Sequence, residues 1–247
     1  MQVILPSVGR PPYATFYLLH GLGDDSTIWM RRTRIEVYVR ALPLIVVMPD
    51  GYRGFYTDNA EGPAFARHFG MEIPDFVERT FPARPARGAR AIGGLSMGGY
   101  GALRVALGYP ERFCSANSHS GALMRFNLDL GPRAARKDRI FRKHPPAFFA
   151  EMRRIFGRRP MGTRHDLLAL IRRARRRHRR LPAILVDCGL EDSLLECNRD
   201  LHRDFQAMRV PHQYREFPGD HDWDYWDQHV RDALQFHARN LRLPPAE

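Results

Sequence analysis

The sequence Gly94-Leu95-Ser96-Met97-Gly98-Gly99 joins two apolar stretches of different periodicity. Residues 89–93 before it are typical of a short buried strand, whereas apolar spacing over residues 97–109 predicts a helix. A tight strand-to-helix turn needs small residues two positions before and two after its central serine, and both positions are glycine here. The pattern favours a nucleophilic Ser96 held above the carboxyl edge of a sheet. A glycine-rich turn with an incidental serine is the alternative.

Working outward from this turn, short apolar runs alternate with amphipathic stretches, which is typical of an α/β protein whose mainly parallel sheet is covered by helices. Strands are predicted at residues 14–19, 44–48, 89–93, 114–118, 183–188 and 212–217, and helices at 27–39, 63–81, 97–109, 194–208 and 225–241. No Gly/Ser linker or repeat divides the chain. We therefore expect a single domain over residues 1–247, with residues 124–180 inserted as a cap or lid.

The composition excludes several classes of protein. With 44% hydrophobic and 27% charged residues in 247, the chain resembles ordinary globular domains rather than disordered ones. No apolar run approaches the roughly 18 to 20 residues that span a bilayer, and the N-terminus lacks the pattern of a signal peptide. Three cysteines without a Cys-x-x-Cys pair indicate neither a disulfide framework nor a zinc site. We expect a cytoplasmic protein without a metal, with no membrane partner.

The net charge of +12 is concentrated in the insertion. Residues 125–180 hold 19 Lys and Arg against 4 acids, 19 − 4 = +15, so the rest of the chain carries +12 − 15 = −3. Within this segment Leu167, Leu170, Ile171 and Ala174 share one face of a predicted helix, and the arginines lie elsewhere around it. A solvated charged face is the simplest interpretation. The alternative is a basic module that binds nucleic acid or an anionic membrane, but no aromatic residue interleaves with residues 172–180. We expect no nucleic-acid partner.

A nucleophilic serine needs a base, and a base needs a carboxylate to orient it. His221 lies in a loop directly after the last predicted strand, whereas His229 and His237 fall within the following helix. Asp192 follows the strand at residues 183–188 and is our choice of acid; Asp187 and Glu191 remain alternatives, and any of these carboxylates could instead form a salt bridge. The chain order Ser, Asp, His suits the α/β-hydrolases.

An oxyanion hole requires two backbone N–H groups that point at one place. His20-Gly21-Leu22-Gly23 follows the strand at residues 14–19, so the Leu22 amide can converge with the Met97 amide at the start of the helix. A simple glycine turn is the alternative for this loop.

Taken together, the motifs resemble those of the esterase D and tributyrin/feruloyl esterase branch of the α/β-hydrolases, which includes S-formylglutathione hydrolases and is related to the antigen 85 mycolyltransferases. The resemblance spans nearly the whole chain and is carried by Tyr17-Leu18-Leu19-His20-Gly21, Trp29, Met48-Pro49-Asp50-Gly51, Phe55-Tyr56-Thr57, Gly94-Leu95-Ser96-Met97-Gly98-Gly99-Tyr100-Gly101-Ala102, Cys188-Gly189-Leu190-Glu191-Asp192 and His221-Asp222-Trp223-Asp224-Tyr225-Trp226.

This resemblance implies an α/β-hydrolase fold and a serine carboxylesterase that needs no cofactor. It implies Ser96, Asp192 and His221 as the triad and Leu22 and Met97 as oxyanion donors. A small ester is the expected substrate, cleaved through an acyl-enzyme, and the chain could form a homo-oligomer. An acyltransferase or an S-formylglutathione hydrolase-type thioesterase could use the same residues.

Two departures from the family pattern matter. Leu95 stands where formylglutathione hydrolases have histidine, which argues against that substrate. Only about a dozen residues precede the first predicted strand, so we expect the N-terminal strands of the family to be missing or shortened. The candidate pocket walls are Trp29, Tyr56, His119, Trp223 and Trp226. For the tryptophans core packing is at least as good an interpretation, and His119 could equally be a hydrogen-bonded loop residue.

Overall fold

The computed structural model describes residues 1–123 and 145–244, and within them seven strands form one sheet. The strands are β1 (Gln2–Ile4), β2 (Ala14–Leu19), β3 (Leu44–Met48), β4 (Arg90–Gly94), β5 (Ser115–His119), β6 (Ala183–Gly189) and β7 (Gln213–Phe217). Their order across the sheet is β1-β3-β2-β4-β5-β6-β7, with β1 antiparallel to β3 and all other neighbours parallel. The predicted α/β fold with a mainly parallel sheet is confirmed.

Helices cover both faces of the sheet. They are α1 (Ile28–Arg32), α2 (Ile35–Val39), α3 (Phe65–Arg67), α4 (Ile73–Thr80), α5 (Met97–Gly108), α6 (Pro146–Phe156), α7 (Leu167–Arg176), α8 (Leu195–Ala207) and α9 (Trp223–Leu241). One core lies between the sheet and α4 to α8, and a second lies between the opposite face and α1, α2 and α9. Because both faces are covered, β2 and β3 are apolar almost throughout and fully buried. In contrast, β5 is fully buried although four of its five residues are polar.

Two predicted helices are interrupted in the structure, and each interruption has a local cause. The helix predicted at residues 27–39 breaks at Thr33, which is extended and whose hydroxyl donates to the Trp29 carbonyl and accepts the Ile35 N–H. The helix predicted at 63–81 contains the π-helical segment His68–Glu72, which ends two residues before Pro74, a residue that cannot donate the regular helical hydrogen bond. Both predictions of one continuous α-helix were wrong.

The N-terminal edge of the sheet is present but short. β1 consists of three residues and pairs with β3, so Gln2 lies opposite Met48 and Ile4 opposite Val46. The sequence did not predict this strand, because three residues carry too little alternation to be recognised.

The insertion at residues 124–180 is described from residue 145 onward, and its first part, 124–144, lies outside the described residues. The described part contains α6 and α7. Asp166 caps α7 by accepting from the Leu168 and Ala169 N–H groups. The predicted apolar face of this helix is confirmed, since its four members are buried and the helix packs against α5, while the side chains of residues 172–173 and 175–180 are exposed. The cap or lid role stays a prediction.

No helix in the two described ranges combines the length and apolarity that crossing a bilayer would require.

Candidate active site

Ser96 sits on a strained turn between β4 and α5. Its backbone has φ 52° and ψ −116°, a conformation that L-residues rarely adopt. The Ser96 N–H donates to the His119 carbonyl at the end of β5 (2.9 Å), and the Ser96 carbonyl accepts from Ala122 (2.9 Å). These backbone contacts hold the serine at the carboxyl edge of the sheet, as the sequence predicted.

The two flanking glycines are required by space. A Cβ at Gly94 would lie 2.7 Å from the Leu19 carbonyl oxygen, and a Cβ at Gly98 would lie 2.6 Å from the carbonyl oxygens of both Leu19 and His20. The start of α5 therefore presses directly on the end of β2 and on the loop that follows it. The spacing Gly-x-Ser-x-Gly is the sequence signature of this close approach.

We expect Gly98→Ala to lower the free energy of unfolding by about 1 to 3 kcal/mol, because backbone atoms cannot move aside for the methyl group. Urea unfolding of the variant measures this directly. Gly88→Ala is the matched control, since a Cβ there meets no atom within 4 Å in the described residues. Equal unfolding midpoints for the two variants would contradict this account of the turn.

Ser96, His221 and Asp192 form one chain of hydrogen bonds. His221 Nε2 lies 3.0 Å from Ser96 Oγ, and His221 Nδ1 lies 2.9 Å from Asp192 Oδ2. A carboxylate can only accept, so the proton is on Nδ1 and Nε2 faces the serine as an acceptor. Three loops at the ends of β4, β6 and β7 supply the three side chains, as the sequence predicted.

The candidate acid is shielded from solvent and the candidate base is accessible. The Asp192 side chain is 0% exposed, whereas that of His221 is 28% exposed. Burial alone would raise the pKa of Asp192, but hydrogen bonds from His221 and from the Leu194 N–H (2.7 Å) outweigh it and hold this pKa below its usual value. Asp192 therefore stays a carboxylate at neutral pH and can orient the imidazole.

The alternative acids are engaged elsewhere. Asp187 accepts from His119 Nδ1 (2.8 Å), and Glu191 Oε2 accepts from the Gly219 N–H (2.6 Å). The alternative histidines are engaged as well: His229 contacts Asp232, and His237 is buried between β5 and α9, where burial lowers its pKa to about 3. The structure brings only the preferred acid of the three to His221.

The loop after β2 is fixed by His20 and Tyr56, whose roles the sequence analysis missed. His20 Nδ1 donates to the Gly21 carbonyl (2.8 Å), and Nε2 accepts from the Gly51 N–H (2.9 Å). The Tyr56 hydroxyl donates to the His20 carbonyl and accepts from the His20 N–H, both at 3.1 Å. The sequence signals for this arrangement were His20 in the motif that ends β2 and Tyr56 in the motif Phe55-Tyr56-Thr57.

The same loop lies against the serine. A Cβ at Gly21 would lie 3.8 Å from Ser96 Cβ and 2.7 Å from the Leu95 side chain. Leu22 follows next in this loop, and Met97 is the first residue of α5, where backbone N–H groups have no partner within the helix. Both predicted oxyanion donors thus belong to backbone segments next to Ser96.

Three of the predicted pocket residues belong to the core instead. Trp29, Tyr56 and His119 are 1%, 0% and 0% exposed, so they offer no surface to a substrate. Trp29 Nε1 donates to the Leu19 carbonyl (3.1 Å), which explains why the ring is buried behind β2. We correct the pocket assignment for these three side chains.

The two remaining tryptophans lie beside His221, the candidate base. The Trp226 ring packs edge-on against His221 with centroids 4.9 Å apart, and Trp223 packs against Trp226 at 5.1 Å. Trp223 is partly exposed and Trp226 is buried. Trp226 therefore supports the imidazole, and Trp223 stays a candidate for the pocket wall.

No group of three or more His, Cys, Asp and Glu side chains in the described part of the chain is arranged to hold a metal ion. The three cysteines are free thiols.

A mainly parallel seven-stranded sheet with a serine elbow at its carboxyl edge defines the class, the serine hydrolases of the α/β-hydrolase fold. Within this class, the chain belongs to the Esterase family, whose model, described as "Putative esterase", matches residues 1–237. The predicted family, fold and carboxylic ester hydrolase class are confirmed.

Individual relatives agree with this assignment. The chain is 32% identical over 228 residues to an acetyl esterase of Caldicellulosiruptor saccharolyticus. This match covers 91% of this chain and 83% of the acetyl esterase. The structure of FphF, a fluorophosphonate-binding serine hydrolase of Staphylococcus aureus, superposes with a TM-score of 0.79 at 31% identity, covering 95% of this chain and 90% of that one. An S-formylglutathione hydrolase of the same organism gives a TM-score of 0.77 at 31% identity, with 95% and 91% coverage.

Proposed function

We propose that the chain hydrolyses small carboxylic esters with short acyl groups through an acyl-enzyme on Ser96. The observation that carries the proposal is the continuous hydrogen-bonded chain from Ser96 Oγ through His221 to Asp192. A free hydroxyl is a poor nucleophile at neutral pH, and only a neighbouring base that can take its proton makes the attack feasible.

In the proposed reaction, Ser96 Oγ attacks the ester carbonyl while His221 Nε2 takes the hydroxyl proton. The tetrahedral intermediate collapses, and the leaving alkoxide receives that proton from His221. Water then attacks the acyl-enzyme with His221 again as base, which releases the acid and restores the serine. Asp192 keeps the Nδ1 proton in place and stabilises the imidazolium formed in each half-reaction.

The negative charge that develops on the carbonyl oxygen needs two donors. We propose the backbone N–H groups of Leu22 and Met97, which flank Ser96 on the β2 loop and at the start of α5. This proposal is supported by the hydrogen bonds of His20 and Tyr56, which fix the backbone of the loop after β2. Donors that are already in place cost no reorganisation as the charge forms.

The acyl preference is the part of the proposal that a substrate panel tests. We expect kcat/KM for nitrophenyl acetate or butyrate to exceed that for the laurate ester by at least about tenfold, because the short acyl pocket that we propose would exclude additional methylenes. The acetyl esterase relative supports this direction. Steady-state rates on esters that differ only in chain length provide the measurement, with Ser96→Ala as the blank. Preferred turnover of the long chain would contradict the short-acyl assignment.

A second candidate is hydrolysis of an S-formylglutathione-type thioester, favoured by the likeness to the Staphylococcus aureus hydrolase over 95% of this chain. Addition of S-formylglutathione to the same panel separates the two candidates.

Acyl transfer would use the same residues with an alcohol in place of water, and product analysis with added alcohols detects it. A small ester as the partner and the cytoplasm as the location are parts of the proposal that rest on the sequence alone.

A further inference from the structure

A second hydrogen-bonded group lies buried below the candidate active site. Asp187 on β6 is 1% exposed, and both of its carboxylate oxygens accept from His119 Nδ1, at 2.9 and 2.8 Å. Oδ1 also accepts from the Tyr225 hydroxyl on α9 at 3.1 Å. The sheet register places His119 directly beside Asp187, so this pairing is built into the β5–β6 ladder.

One arm of this group leads to the nucleophile. His119 is the last residue of β5, and its carbonyl accepts the Ser96 N–H at 2.9 Å. The next residue, Ser120, donates its N–H to the Asp187 carbonyl at 2.8 Å. The imidazole that Asp187 holds therefore belongs to the residue that fixes the strained backbone of Ser96.

The other arm leads to the base. The Tyr225 N–H donates to Asp222 Oδ1 (3.0 Å), the capping residue of α9, which directly follows His221. A Cβ at Gly219 would lie 2.7 Å from Tyr225 Cδ2, so the loop that carries His221 rests on the tyrosine ring. Holding the Tyr225 hydroxyl thus holds the loop.

Burying the polar side chains of Asp187, His119 and Tyr225 costs free energy, and core packing alone does not explain why they are there. A buried carboxylate is unfavourable unless it is fully hydrogen-bonded, and apolar residues of similar size would fill this space without that cost. Burial, followed by the nearby Asp187 charge, raises the pKa of the Tyr225 phenol, so the hydroxyl keeps its proton and acts as the donor. Asp187 therefore accepts hydrogen bonds from His119, which is connected to Ser96, and from Tyr225, which is connected to the loop of His221.

We propose that Asp187 is a positioning residue that sets the contact between Ser96 Oγ and His221 Nε2, through His119 on one side and Tyr225 on the other. The proposal rests on the proposed function, because it assigns a role in the same reaction. Asp187 touches neither substrate nor the reacting atoms. Its effect is on the distance between nucleophile and base, so it acts on the chemical step and leaves substrate binding unchanged.

Two variants test the proposal, Asp187→Asn and Tyr225→Phe. Because displacements of about 1 Å in a reacting pair can cost about 100-fold, we expect kcat on a short ester to fall about 10- to 100-fold in Asp187→Asn and about 3- to 10-fold in Tyr225→Phe, with KM changed less than about twofold. The rate of covalent labelling by a fluorophosphonate should fall by the same factors as kcat. Tyr225→Phe keeps the ring that supports the loop, so it stays informative if Asp187→Asn does not fold.

Ser115→Ala is the matched control. Ser115 lies on β5, the strand of His119, and is fully buried; within the described residues its hydroxyl bonds to His237 Nδ1 on α9 (2.8 Å) and to Cys114 Sγ (3.8 Å), not to Ser96 or His221. We expect Ser115→Ala to lower the unfolding temperature by an amount similar to Tyr225→Phe while kcat stays within about twofold of the wild type.

The outcomes separate the positioning role from the proposed function. Survival of ester hydrolysis in Ser96→Ala would overturn the proposed function itself. With Ser96→Ala inactive, wild-type kcat in Asp187→Asn and Tyr225→Phe, or kcat losses no larger than that of Ser115→Ala, would overturn only the positioning role. A loss in Asp187→Asn larger than that in Asp192→Asn would also overturn it, because Asp187 would then matter more to the reaction than the carboxylate that contacts His221.

Discussion

Ser96→Ala is expected to reduce ester hydrolysis by about 10⁴-fold or more, to the small residual rate that substrate binding and the oxyanion donors supply without a nucleophile. The variant lacks the oxygen that forms the acyl-enzyme, and the methyl group cannot replace it. Covalent labelling by a fluorophosphonate should disappear together with the activity, which intact-mass spectrometry of the treated protein would measure.

Ser118→Ala provides the control for this experiment. It removes a buried serine hydroxyl from β5 that has no hydrogen-bond partner among the described residues, and it substitutes no residue of the turn at 94–99. It should keep both activity and labelling. A Ser96→Ala protein that still hydrolyses esters, or a label found on a different residue of the wild type, would contradict the assignment of the nucleophile.

His221→Ala is expected to lose about as much activity as Ser96→Ala, because groups that act as a unit fail together. Asp192→Asn should lose less, by about a factor of ten or more, since an unoriented imidazole can still accept a proton. The measurement is kcat/KM on one short ester for all three variants, with unfolding midpoints recorded beside it.

For this series His68→Ala is the matched histidine change, because His68 is exposed and its Nδ1 bonds to Glu72, away from the site residues. Its activity should equal that of the wild type. If Asp192→Asn retained full activity, the short contact between Asp192 and His221 would have no role in the reaction.

The central strands could be predicted from sequence because burial on both faces leaves a continuous apolar run. β2 and β3 have the predicted bounds, Ala14–Leu19 and Leu44–Met48, whereas β4, before Ser96, begins and ends one residue later than predicted and β6, before Asp192, ends one residue later. The candidate site followed from these strands, since each functional loop begins where a strand ends. The spacing of the glycines around Ser96 then identified the elbow by a steric requirement that few other turns share.

What the sequence could not predict depends on which strands become neighbours. His119 was a candidate pocket residue and Asp187 an alternative acid, but only the parallel register of β5 on β6 shows that the two lie side by side and bond to each other. The depth of Trp29 behind β2 likewise follows from packing against Trp223, a residue almost 200 positions away. Aromatic composition alone does not distinguish a core residue from a pocket wall.

The order of the strands also divides the site into two portions of chain. Ser96 precedes β5, whereas Asp192 and His221 follow β6, and the serine and histidine are 125 positions apart. A cut between β5 and β6 would therefore leave the nucleophile on one fragment and the whole base-acid pair on the other. Neither fragment could turn over an ester alone, and activity would return only when the β5–β6 edge had joined again. The enzyme thus offers a natural place for a split reporter whose signal measures the assembly of the sheet.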